Sequence, residues 1–208
     1  MTPRPYFSWS QFNLFGRSEE SFRKTYVYGY KFNTPHTAFG REFALMREKR
    51  EYPDDYTNIM LFLQQYPKRE YVMTAYTIID KKKVMLLARP DGIDFRRHII
   101  GDDKTGLATH ITEKGNISKE WDQKKADKCE QLTFDALVYW KKKRVIPRLR
   151  IHWIETKKLK NGVIVATGRV ETFETTRTMK DLIVLNVKIN QRWRGIIKLY
   201  EAEWKKVF

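Results

Sequence analysis

Residues 86–106 read LLARPDGIDFRRHIIGDDKTG, and this segment decides the interpretation of the chain. Pro90-Asp91 is followed, eleven positions after the aspartate, by Asp102-Asp103-Lys104. Short strands are predicted over residues 92–96 and 98–103. Because side chains alternate along a strand, Asp102 and Lys104 should share one face and Asp103 the other. If these strands pair as a hairpin, Asp91 lies opposite Asp102, and two carboxylates and an ammonium converge.

Such a convergence suits hydrolysis of a phosphodiester. Carboxylate oxygens are preferred ligands of Mg²⁺, which keeps several waters and takes substrate phosphate oxygens as further ligands. Asp91 and Asp102 are therefore the candidate ligands of Mg²⁺ or Mn²⁺, assisted by the main-chain carbonyl of Asp103. Lys104 is the candidate for orienting the attacking water. The alternative is structural, with Asp91 capping a turn and residues 102–106 forming a polar strand exit.

The remaining sequence alternates between helical and strand patterns. Apolar residues at helical spacing and possible capping residues, Ser10 and Thr37 among them, predict helices; these cover residues 8–15, 19–26, 37–50, 56–66, 119–144 and 177–207. Strands are predicted over residues 71–79 and 84–88, joined by a turn at 80–83, and over 148–156 and 163–172, joined through Asn161-Gly162. Gly106 is expected to end the strand region that precedes the longest helix, 119–144.

This order of elements predicts an α/β or α+β fold in one domain spanning residues 1–208. A mixed central sheet containing the Asp91 and Asp102 strands should be flanked by helices. The chain length and the 41% hydrophobic content are those of a packed globule.

Charge is the strongest bulk feature. The chain has 41 Lys and Arg against 25 Asp and Glu, for a formal net charge of +16. Such an excess favours a polyanionic partner, most commonly nucleic acid, although a solvated basic surface is the alternative. The single cysteine, Cys129, excludes an internal disulfide and multi-cysteine metal sites. With no signal-like segment and no apolar run near the roughly 20 residues of a membrane span, we expect a cytoplasmic protein.

The segment resembles the core of the RecB-type branch of the PD-(D/E)XK nucleases, where a strand with an Asp and a short hairpin precede D-x-K-T-G. Asp91 and residues 102–106 stand in those places. Further matches follow in order over residues 6–140: a serine-rich helix start at Ser8-Trp9-Ser10-Gln11, a Phe- and Tyr-rich stretch at 22–30, a helix Gly at Phe39-Gly40, and Gln131-Leu132. The resemblance implies a restriction-endonuclease-like core.

The sequence also departs from that pattern. Many RecB-type members carry a metal-binding His four residues after the helix Gly, but position 44 is Ala. Glu48 or Glu42 is the candidate replacement ligand, unless both are solvated helix charges. Gln131 is a candidate for contacting the scissile phosphate or a base, or is an ordinary helix residue. The Tyr that often follows four residues later is replaced by Asp135.

The resemblance implies Mg²⁺- or Mn²⁺-dependent cleavage of DNA, with the exonucleases of recombination, repair or phage DNA processing as the nearest analogy. A phage-encoded protein would act in the host cytoplasm. The rivals are a non-catalytic nucleic-acid-binding protein and a structural subunit docked through its C-terminal helix. A homo-oligomer or a recombination partner is possible. Basic residues at 124, 125, 128 and 141–144 are candidates for gripping DNA, and Trp193, Tyr200, Trp204 and Phe208 for stacking on bases or for core packing.

Overall fold

The structure is a computed structural model that describes residues 4–31, 35–63, 65–108, 110–111, 117–118 and 120–205. It is a mixed α/β fold with two mixed sheets flanked by helices, which confirms the predicted fold class. Within these residues, no helix has both the length and the apolar character needed to cross a membrane.

A five-stranded mixed sheet carries the D-x-K segment. Its strands are β2 (Lys68–Arg69), β5 (Gly92–Asp94), β6 (Ile99–Leu107), β9 (Arg148–Lys158) and β10 (Ile164–Thr175), in the spatial order β10-β9-β6-β5-β2. Strands β6 and β9 are parallel, and the other pairs are antiparallel. The predicted hairpin of β5 and β6 and the predicted pairing of β9 with β10 are both confirmed. In the turn that joins β9 to β10, Gly162 adopts a positive φ of 84°, which glycine allows without strain.

The strands predicted before residue 90 form a separate sheet rather than part of one central sheet. It contains β1 (Tyr6–Ser8), β3 (Met73–Ile79) and β4 (Lys82–Ala88), in the order β1-β4-β3, with β1 parallel to β4. Asp80 and Lys81, at φ of 49° and 63°, close the predicted β3–β4 hairpin. Two further short strands, β7 (His110–Ile111) and β8 (Ile117–Ser118), pair with each other.

Helices cover the sheets and bury two apolar clusters. The first half contributes α1 (Trp9–Arg17), α2 (Glu19–Phe22) with a π-helical turn at Arg23–Val27, α3 (Pro35–Lys49), and α4 (Thr57–Leu63) after a 3₁₀ turn at Asp54–Tyr56. The second half contributes α5 (Gln123–Asp127), α6 (Glu130–Lys143) and α7 (Met179–Trp204). The larger cluster joins α1, α6, α7 and both sheets, and the smaller joins α3, α4, β9 and β10.

The prediction of one long helix over residues 119–144 was wrong. The region contains two helices, α5 and α6, and the helical conformation is interrupted between them at Lys128 and Cys129. The longest helix in the described part of the chain is α7. The guanidinium of Arg177, only 8% exposed, donates to the carbonyls of Ala126 and Cys129 at 3.1 Å each. A cation from a distant segment thus binds the main chain at the junction of the two helices, in addition to the amides of Cys129 and Thr133 that these carbonyls also accept.

Several predicted element ends also move. Ser8, not Ser10, caps α1, because its hydroxyl accepts from the Gln11 amide while the Gln11 side chain accepts from the Ser8 amide. Helix α3 begins at Pro35, so Thr37 lies inside it rather than at its cap. Gly106 does not end the strand, since β6 continues to Leu107. The bare backbone of Gly106 leaves room for the Glu120 carboxylate, which accepts from the Leu107 amide at 2.7 Å.

Candidate active site

One aromatic ring, that of Tyr66, packs against the β5–β6 hairpin. Gly92 and Gly101 are directly paired across the hairpin, and the ring of Tyr66 lies against both. A Cβ at Gly92 would lie 2.5 Å from ring carbons of Tyr66, and one at Gly101 would lie 2.4 Å from its hydroxyl oxygen. The hydroxyl is bonded to Nε2 of the buried His152 at 2.7 Å. A side chain at either position would force the Tyr66 ring to move, and each position adjoins a candidate aspartate.

Asp91 lies one residue before β5, so it is placed by the turn from β4 rather than by a strand. Its Oδ2 accepts a hydrogen bond from the backbone amide of Asp103 at 2.8 Å. Since Gly92 pairs with Gly101, the antiparallel register brings Asp91 to the level of Asp102. The structure therefore brings Asp91 and Asp102 together at the end of the hairpin.

Asp102, Lys104 and Gln131 form a closed triangle of polar contacts. The Lys104 ammonium lies 2.7 Å from Asp102 Oδ2 and donates to Gln131 Oε1 at 2.9 Å. The Gln131 amide nitrogen donates to Asp102 Oδ1 at 2.8 Å. Asp102 is 2% exposed, whereas Lys104 retains partial access to solvent. Gln131 on α6 thus fixes the two side chains that alternation places on one face of β6.

Asp103 points to the opposite side of the strand, and two arginines hold its carboxylate. Arg47 of α3 and Arg69 of β2 both donate to Asp103 Oδ2, each at 2.5 Å. The second oxygen, Oδ1, is buried and, within the described part of the chain, has no hydrogen-bond partner. The side chain of Asp103 thus turns away from Asp102 and Lys104, as the alternation predicted.

Arg47 also joins this cluster to a carboxylate that the sequence analysis missed. Its second terminal nitrogen lies 2.6 Å from Glu70 Oε1 and 3.4 Å from Asp91 Oδ1. The other oxygen of Glu70 lies 3.1 Å from Nε of Arg89, a largely exposed residue just after β4. No known motif relates these residues to Asp91 by their spacing in the sequence. Only the three-dimensional fold identifies Arg47, Arg69, Glu70 and Arg89 as neighbours of the site.

Crowding and burial shift the pKa values of these carboxyl groups. Burial, with the charges of Asp91 and Asp103 adding to it, raises the pKa of Asp102 to about 7 despite Lys104. Burial and Asp91 raise the pKa of Asp103 to about 6. For Asp91 burial acts in the same direction, but Arg47 and the Asp103 amide outweigh it and hold the pKa below its usual value. Burial lowers the pKa of Lys104, yet Asp102 more than offsets this and leaves it raised.

The structure does not bring Glu48 or Glu42 into the cluster. Both side chains are exposed on α3, and neither has a hydrogen-bond or ion-pair partner among the described residues. The α3 residue that reaches the carboxylates is Arg47, one position before Glu48. Arg47 is buried on the sheet-facing side, and the 100° step per helical residue turns its neighbour outward. Glu48 as a metal ligand is therefore not supported by the geometry.

The donor set suits a hard divalent cation held by few protein ligands. Among the described residues, no group of three or more His, Cys, Asp or Glu side chains is arranged around a common metal position. Mg²⁺ is usually bound by one or two carboxylates together with waters and substrate phosphates, so two aspartates suffice. Asp91 and Asp102 supply oxygen donors of the type that such a cation prefers.

Two solved structures share the fold. A crystal structure of a candidate exonuclease from Eubacterium rectale matches with a TM-score of 0.58 at 9% identity, covering 96% of this chain and 82% of that one. The crystal structure of a protein named SSO0001 matches with a TM-score of 0.52 at 12% identity, covering 96% and 78%. The likeness is one of fold. No protein-family model and no curated protein sequence matches the chain.

Of the basic and aromatic residues that were candidates for contacting DNA, some lie on the surface and others in the core. Lys124, Lys125, Lys128, Lys142, Lys143 and Arg144 are exposed on α5, α6 and the turn after α6, while Lys141 is partly buried. Trp193 packs on Phe7 with ring centroids 5.3 Å apart, and Tyr200 is 5% exposed, so both belong to the core. Trp204 is 47% exposed, and Phe208 lies outside the described residues.

Proposed function

We propose that this protein is a metal-dependent nuclease of the PD-(D/E)XK superfamily, in its RecB-type branch, which hydrolyses phosphodiester bonds in DNA. The observation that carries the proposal is the triangle of Asp102, Lys104 and Gln131 beside Asp91. These residues come from three separate elements and meet at one edge of the hairpin. The shared fold with a candidate exonuclease and the net charge of +16 support it.

In this proposal Asp91 and Asp102, with the Asp103 carbonyl, hold Mg²⁺ or Mn²⁺. When bound, such an ion lowers the pKa of a coordinated water and offsets charge on the phosphate oxygens. Lys104 donates hydrogen bonds to the attacking water and to the phosphate oxygens as negative charge develops there. Gln131 fixes the position of that ammonium, and Arg47 and Arg69 fix the backbone between Asp102 and Lys104 through Asp103.

The direct experiment is a cleavage assay on end-labelled single- and double-stranded DNA in Mg²⁺, in Mn²⁺ and in EDTA. The wild type should cleave DNA with either metal and be inactive in EDTA. Asp102→Ala should abolish cleavage but retain salt-sensitive DNA binding, while the matched control Glu51→Gln, an exposed carboxylate just beyond α3, should be active. Release of mononucleotides rather than internal fragments would identify an exonuclease.

A second candidate function is nucleic-acid binding without cleavage. Its specific support is Arg47, whose guanidinium occupies the space between Asp91, Asp103 and Glu70 and already supplies positive charge there. Ala44 at the position of the usual His agrees with this reading. A wild-type protein that binds DNA but cleaves neither strand form in either metal would favour the binding protein over the nuclease.

A further inference from the structure

A groove of about 510 Å³ opens beside the candidate active site. It lies between the start of α1, the end of β4 and α6, and its lining includes Arg4, Tyr6, Trp9, Arg89, Gln131 and Asp135. Two of these residues connect it to the carboxylate cluster. Gln131 contacts Asp102 and Lys104, and Arg89 contacts Glu70. A ligand in the groove would therefore adjoin the position of the scissile phosphate.

Asp135 is the unusual residue of this groove. It is 3% exposed, one helical turn after Gln131, and its Oδ2 has no hydrogen-bond partner among the residues that the structure describes. A buried polar atom without a partner is costly, so its presence in a groove lining points to a ligand that supplies the bond. Burial, together with the charge of Asp102, also raises the pKa of Asp135 well above its usual value. In its protonated form an aspartic acid side chain offers both a donor and an acceptor.

The other lining groups match the remaining parts of a nucleotide. The indole of Trp9 packs against Phe12 and Phe134, with ring centroids 5.3 and 6.3 Å away, and stays only partly buried. An aromatic ring fixed by neighbours is a stacking surface for a planar ligand. Arg89 has a side chain that is 64% exposed, which leaves donors for a phosphate oxygen.

We propose that this groove is a nucleobase-binding site that holds one base of an unpaired strand, with Trp9 stacking on the base, Asp135 hydrogen-bonding its edge and Arg89 pairing with the adjoining phosphate. The site rests on the proposed nuclease function and gives it a substrate class, because a base stacked and paired within a duplex has no free ring face for Trp9 and no free Watson–Crick edge for Asp135. The protein would then engage a single strand next to Gln131 before cleavage.

The experiment measures binding of short single strands in EDTA, at fixed low salt, by fluorescence anisotropy. Three hexamers with the same phosphates are compared: hexathymidylate, the same strand with the nonpolar thymine isostere difluorotoluene, and an abasic strand. Trp9→Ala should weaken thymine binding about 5- to 100-fold, the range for one lost stack. Trp9→Phe should restore part of it, and Tyr76→Ala, at an exposed aromatic on β3 outside the groove, should have no effect.

The hydrogen bond from Asp135 is tested by comparing the protein's affinities for the thymine hexamer and for the isostere hexamer. The wild type should prefer thymine by about 2- to 10-fold, the range of one hydrogen bond. Asp135→Leu should abolish that preference, and Asp135→Asn, which keeps a donor and an acceptor, should retain it. Equal binding of the thymine and abasic strands, or an unchanged preference in Asp135→Leu, would overturn the site. Cleavage in Mg²⁺ without base-dependent binding would refute this site alone, and base-dependent binding without cleavage would refute the nuclease alone.

Discussion

Gly101→Ala should destabilise the protein because the added methyl group would collide with the ring of Tyr66. The new Cβ would lie 2.4 Å from Oη and 2.5 Å from Cζ of Tyr66, so the ring must move by about 1 Å to reach ordinary contact distance. Inserting a methyl group into a packed core costs about 1–3 kcal/mol. Moving the ring also breaks the 2.7 Å hydrogen bond between the Tyr66 hydroxyl and Nε2 of His152. Leaving these buried polar atoms unpaired costs about 1–3 kcal/mol more.

The free energy of unfolding should therefore fall by about 2–6 kcal/mol, measured by urea titration monitored by circular dichroism. The same substitution at Gly40, inside α3 where a Cβ meets only Thr105 at 3.5 Å, should stabilise the protein by up to about 1 kcal/mol. In a Tyr66→Leu background the cost of Gly101→Ala should shrink, because the clashing ring is absent. An unchanged urea midpoint in Gly101→Ala, or a fully additive double variant, would refute this packing of the hairpin.

Three further outcomes follow. Gln131→Leu should slow cleavage about 10- to 100-fold, with folding unchanged, because Lys104 loses its positioning partner; single-turnover rates at saturating metal check this. Ser8→Ala should cost about 1 kcal/mol of unfolding free energy by removing the α1 cap, and Ser10→Ala distinctly less. Burial lowers the pKa of His152 to about 4, so only the unfolded chain gains its proton between pH 6.5 and 4. Stability should therefore fall over that window by up to about 3 kcal/mol relative to a His152→Asn variant, as urea titrations at several pH values would show.

Local patterns predicted the centre of the site because its chemistry lies within a short stretch of chain. Strand alternation separated Asp102 and Lys104 from Asp103, and a hairpin of correct register placed Asp91 beside Asp102. The side-chain period of two determines both features without knowledge of the rest of the fold. The association of Gln131 with this site followed from its place in the resemblance.

The charged surroundings of the site could not be predicted in the same way. Arg47 and Glu70 reach Asp103 and Asp91 from separate elements, and no spacing rule connects residues so far apart in the chain. On α3, Arg47 contacts Asp103, while the ligand candidate Glu48 is the exposed residue next to it, and the helical pattern alone did not distinguish these two positions. The break between α5 and α6 was missed because Arg177, which donates hydrogen bonds to the carbonyls of Ala126 and Cys129 at the junction, lies beyond β10.

In the proposed site Asp91 and Asp102 share one divalent cation. An anomalous difference map from crystals soaked in Mn²⁺ would locate that ion. A single strong peak is expected, bounded by one oxygen of each carboxylate at about 2.0–2.2 Å from both, and it should be lost in Asp102→Ala crystals. A protein that cleaves DNA in Mn²⁺ while its crystals hold the ion elsewhere, or hold none between these two aspartates, would contradict the proposed site.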